Sequence, residues 1–95
     1  NLELKQLHFE QTILYKRNIY ENYLKFTGRF IRRPDVDASK SYGEYYFLAL
    51  TYAPKDVEDA IIQLNHLISN SNFDNATTLF EERVAPLIRT MLQKL

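Results

Sequence analysis

The chain has 95 residues, and its twelve basic side chains balance twelve acidic ones. One domain is therefore expected, and zero net charge excludes a polyanion-coating tail. The absence of cysteine excludes a disulfide framework, a thiolate nucleophile and a cysteine-based zinc site, and no apolar run approaches the roughly 18 residues that a membrane span needs.

The zero is a sum of unlike parts. Residues 1–33 carry Lys5, Lys16, Arg17, Lys25, Arg29, Arg32 and Arg33 against Glu3, Glu10 and Glu21, a net of +4. Residues 34–95 carry five bases against nine acids, a net of −4. The two parts attract when they pack, so most of this charge is expected to be neutralised within the fold.

A first helix is expected over residues 2–32. Leu2, Phe9, Ile13, Tyr20, Leu24 and Ile31 form a stripe, with Tyr23, Phe26 and Phe30 beside it. Arg29, Arg32 and Arg33 gather at its end, where the helix dipole favours cations. Pro34 stops it by excluding helical geometry at the residue before. Residues 34–40 read as a polar loop. Ser41 and Glu44 then have capping-box spacing, opening a short helix over 42–52. Tyr42, Tyr45, Tyr46, Phe47, Leu48, Leu50 and Tyr52 make that helix apolar on nearly every side, the pattern of a buried element.

Pro54 suits the first turn of a third helix over 54–69, with Asp56, Glu58 and Asp59 at its positive dipole end. Val57, Ala60, Ile61, Leu64, Leu67 and Ile68 form the cleanest amphipathic stripe in the chain. Ser69 to Asn72 form a turn. A fourth helix follows over 74–94, presenting Leu79, Phe80, Val84, Leu87, Ile88, Met91, Leu92 and Leu95 to the core. Pro86 lies inside it and should kink it, since proline cannot donate to the carbonyl of Glu82. The expected fold is all-α: a single domain in which four helices form an antiparallel up-down bundle, the first long and overhanging, the second short.

The chemistry-bearing residues point away from catalysis. His8 and His66 lie in no metal-ligand spacing, the acidic group at 56–59 is explained by the helix dipole, and no Gly-rich phosphate loop occurs. Ser39, Ser41, Ser69 and Ser71 fall in expected loops with no neighbouring base. No enzyme activity, metal, cofactor or small-molecule ligand is therefore expected. Asn75-Ala76-Thr77 has the N-glycosylation pattern by coincidence of composition.

Two groups remain. Lys25, Arg29, Arg32 and Arg33 share a broad face, and with Phe26 and Phe30 nearby they could meet an anionic partner, a nucleic acid or a phospholipid headgroup. Dipole complementation and pairing with Asp35, Asp37 and Glu44 is the favoured reading of the same cluster. Leu2, Leu4, Leu7, Phe9 and Tyr15 lie on the part of the first helix expected to overhang, so they are candidates for contact with a protein partner or a second copy. The seven tyrosines read mainly as core, with their hydroxyls at its rim.

An ordered set of segments carries a resemblance: Tyr20-Glu21-Asn22-Tyr23-Leu24, then Leu48 to Val57, then Ala60 to Asn65, with Met91 near the end. Over residues of about 15–95 the chain resembles a loose group of uncharacterised bacterial proteins in which a short membrane anchor precedes a small helical domain. Pro54 stands where that group usually has Ser, and the ending Met91-Leu92-Gln93-Lys94-Leu95 lacks its Arg and Asp. The resemblance implies a helical domain beside a membrane and transfers no catalytic residue. The expected function is a non-enzymatic helical protein-interaction domain, in the cytoplasm or at the cytoplasmic face of a membrane. The alternatives are a small nucleic-acid-binding regulator and an immunity- or antitoxin-like protein.

Overall fold

A computed structural model describes the backbone of residues 2–95 and the side chains of residues 12–95. The described residues are helical almost throughout and contain no strand. Helix α1 spans Leu2–Arg32, α2 Val36–Tyr52, α3 Lys55–Ser69 and α4 Phe73–Leu79. A π-helical turn, Phe80–Val84, joins α4 to α5, Ala85–Gln93, so that α4, the turn and α5 form one fourth helix.

The second helix is longer than its sequence pattern predicts. Asp35, in extended geometry, is its cap: Oδ1 accepts a 2.7 Å bond from the Ala38 N–H. The expected loop at 34–40 is therefore mostly helix, and Ser39 and Ser41 sit on it. Aspartate is a strong N-cap in its own right, and it acts six residues before the Ser41–Glu44 pair. Ala38 at 0% exposure gives this extra turn an anchor in the core. Nor is α2 buried all round, since Val36 and Phe47 are exposed.

Helices α1 and α2 run antiparallel, and aromatic rings set their register. Tyr15 meets Tyr52 edge-on at 6.0 Å, Phe26 stacks on Tyr45 at 5.4 Å, and Phe30 lies 5.4 Å from Tyr42. Tyr20 donates a 2.8 Å hydrogen bond to the Ala49 carbonyl. That carbonyl lies in the last turn of α2, where the Ala53 N–H turns to Leu50 instead. Tyr20 thus caps the end of the helix it packs against. Tyr42 donates to Asn65 Oδ1 at 2.7 Å and ties α2 to α3.

Below these rings lies an aliphatic core of Ile19, Val57, Ala60, Ile61, Leu64, Val84 and Ile88, each at most 1% exposed. The third-helix stripe is buried as its spacing predicts, with Leu67 half-buried. The chain leaves α3 through a Schellman motif: the Asn72 N–H bonds to Leu67 O at 2.9 Å and the Ser71 N–H to Ile68 O at 3.0 Å. Ser71 occupies the left-handed position, φ 57°, where glycine is usual. That conformation strains a residue with a Cβ. Ser71→Gly should therefore raise the urea midpoint at constant m-value, a gain of about 0.5–1 kcal/mol. An unchanged or lower midpoint would show that the turn carries no such strain.

The fourth helix departs from regular α geometry just before Pro86, at the π-helical turn. Ala76, Phe80, Val84 and Ile88 recur every four residues, with Ala76, Val84 and Ile88 fully buried. On a regular α-helix, twelve residues at 3.6 per turn would rotate Ile88 about 120° away from Ala76. The π turn absorbs the excess residue. Its longer bond, from the Ala85 N–H to the Phe80 carbonyl, closes the turn immediately before the proline, which has no N–H to donate. Leu95, expected to face the core, is 40% exposed.

Candidate functional site: a basic groove and a helix end

All four residues of the basic cluster are exposed. The fold sets them along one wall of a groove of about 540 Å³, lined by Lys25, Gly28, Arg29, Ile31, Arg32 and Arg33 of the first helix and its end. Thr77, Phe80 and Glu81 form the other wall. The nearest atom to a Cβ built at Gly28 is Phe80 Cε1 at 3.8 Å, so the absence of a side chain there keeps the floor low. The π turn presents Phe80 and Glu81 to the groove.

Of the favoured reading of this cluster, dipole complementation and pairing with Asp35, Asp37 and Glu44, the close ion pairs are not formed. Among the described residues the one close ion pair is Lys55 Nζ to Asp59 Oδ1, 3.0 Å, exposed and within α3. Dipole complementation remains, since Arg29 and Arg32 stand in the last turn of α1. Four cations therefore face one carboxylate, Glu81, across the groove. The aromatic neighbours read from the sequence are engaged elsewhere: Phe26 stacks on Tyr45, and Phe30 packs on Tyr42 and on Phe73 at 6.1 Å. Lys25 Nζ lies 5.4 Å from the Phe26 ring centre. The ring that does line the groove, Phe80, comes from the fourth helix and is invisible to a reading of the first. The four-residue spacing of Ala76, Phe80, Val84 and Ile88 was the signal that could have located it.

The second candidate surface is the amino-terminal end of α1. Tyr15 is 48% exposed and rests on Tyr52, the last residue of α2, with Lys16 Nζ 5.7 Å from the same ring. Arg17 Nη2 donates weakly, at 3.4 Å, to the Leu92 carbonyl near the end of α5. So α2 stops at the level of Tyr15, and Leu92 of α5 lies within reach of Arg17. Residues 2–14, about 20 Å of helix, continue past that level, in a molecule 51 Å along its longest axis. Leu14 on this extension is 63% exposed. The side chains of Leu2, Leu4, Leu7 and Phe9, and of His8, lie outside the described residues.

The tyrosines supply core rings as expected, but their hydroxyls do not all reach its rim, since that of Tyr23 is buried. Tyr20, Tyr23, Tyr42 and Tyr46 are buried. Burial raises all four phenol pKa values, Tyr20 to about 12, and in Tyr42 and Tyr23 neighbouring tyrosines push the same way. Among the described residues no group of three or more His, Asp or Glu side chains is placed to hold a metal ion, and no helix is long and apolar enough to cross a membrane. The chain matches no protein family, no curated protein and no solved structure.

Proposed function

We propose that the protein is a non-enzymatic helical interaction domain that pairs through the amino-terminal extension of α1 with a second copy of itself. In this reading the four helices form an up-down bundle, and α1 overhangs it because its last partner is absent. The observation that carries the reading is that α2 ends at Tyr52, level with Tyr15, while α1 continues as helix beyond that level. A helix of about 13 residues is marginal in water without a packing partner, and this one carries leucines at 2, 4, 7 and 14 with Phe9 and Ile13. The resemblance adds a location to the proposal, the cytoplasmic face of a membrane.

Sedimentation equilibrium tests the pairing. The chain should dimerise, and Leu14→Glu with Tyr15→Glu should weaken the dimer by at least about tenfold, the effect of losing a buried anchor. A chain that stays monomeric at high concentration, or a dimer indifferent to both changes, would overturn it.

A further inference from the structure

We propose that the groove between the end of α1 and the π-helical turn binds a small organic molecule carrying two or three linked phosphates. This site stands at the opposite end of α1 from the pairing surface and does not depend on it. Four observations converge here. The volume, about 540 Å³, falls within the roughly 300–1,000 Å³ of small-molecule sites. Lys25, Arg29 and Arg32 succeed one another at steps of four and three residues, so their Cα atoms rise by about 6 and 4.5 Å along the helix. That ladder suits a chain of phosphates, with guanidinium forks able to bind two oxygens each. None of the four cations has a carboxylate within 4.0 Å among the described residues, so no internal ion pair must break for a ligand to enter.

The far wall narrows the ligand class. Phe80 offers a half-buried apolar surface to the organic portion. Glu81 is an acceptor that repels a phosphate but can take a hydrogen bond from a hydroxyl or amine. A single-stranded nucleic acid fits less well, because such binding uses rings free to stack on successive bases, and Phe26 and Phe30 are committed to internal packing.

Isothermal titration of the whole chain with inorganic pyrophosphate and with ADP tests this. Both should bind at one site, ADP more tightly through its organic part. Arg29→Gln with Arg32→Gln should weaken both by at least about tenfold, since each change removes charge-assisted hydrogen bonds to phosphate oxygens. Glu81→Gln should tighten pyrophosphate, whereas Glu82→Gln, next in sequence but outside the groove, should leave it unchanged. Circular dichroism of these exposed-site variants should match the parent. Absence of saturable binding would overturn the proposal. So would equal weakening by Arg83→Gln with Arg89→Gln, two exposed arginines outside the groove, or binding of an oligothymidylate that pyrophosphate does not displace.

Discussion

Raising the pH through about 10 to about 12 should unfold the protein cooperatively, with helical circular dichroism and phenolate absorbance changing together. The cause is the set of buried phenols. Tyr20 is held up to about 12, and Tyr23, Tyr42 and Tyr46 are also raised, chiefly because burial disfavours the charged form. In the unfolded chain these groups ionise near 10. An acid whose folded pKa lies above its unfolded value stabilises the fold fully below the unfolded value. That contribution is lost as pH rises towards the folded one. At about 1.4 kcal/mol per unit, Tyr20 alone accounts for something on the order of 2–3 kcal/mol, a large part of the roughly 5–15 kcal/mol typical of a small domain. Ionised Tyr20 also loses the proton it donates to Ala49. Helical signal that survives past pH 12, with all tyrosines titrating near 10, would contradict this packing.

The same substitution at two neighbouring tyrosines should move stability in opposite directions. The hydroxyls of Tyr23 and Thr27, one turn apart on α1, are buried without a hydrogen-bond partner. Thr27 is near enough to favour ionisation of Tyr23 slightly, yet the two oxygens do not meet in hydrogen-bond geometry. An unsatisfied buried hydroxyl costs about 1–3 kcal/mol, and phenylalanine keeps the ring that fills the site. Tyr23→Phe should therefore stabilise the protein by about that amount, raising Tm by roughly 4–8 °C per kcal/mol. Tyr20→Phe removes the bond to Ala49 O and leaves a helix-end carbonyl unpartnered, so it should destabilise by about 1–3 kcal/mol. Paired denaturation curves decide the matter. Loss of stability in Tyr23→Phe would mean that its hydroxyl is satisfied.

Helix identity was legible wherever a periodic stripe met a breaker. The third helix was read within one residue because Val57 to Ile68 keep strict spacing between Pro54 and the Ser69–Asn72 turn. The second helix began earlier than read, because two capping signals stood six residues apart and the burial of Ala38 favoured the first. Pro86 marks where the fourth helix departs from regular geometry, and the π-helical turn Phe80–Val84 lies just before it. Of the groove, one wall was legible, as cations along a single helix. The other comes from a segment more than forty residues away, and only tertiary packing brings Phe80 to Gly28. Among the described residues the predicted neutralisation of α1 by the acidic remainder takes no close ion-paired form, because complementary totals do not position charges. Lys55 and Asp59 pair within their own helix.

The pairing of α1 beyond its own bundle is tested most directly by amide hydrogen exchange of residues 2–14 at two protein concentrations. An extension that is covered only in a dimer should exchange rapidly in dilute solution and become protected as concentration rises, while the amides of Leu64 and Ile88 in the core stay protected throughout. Exchange in 2–14 that is the same at both concentrations would contradict that pairing.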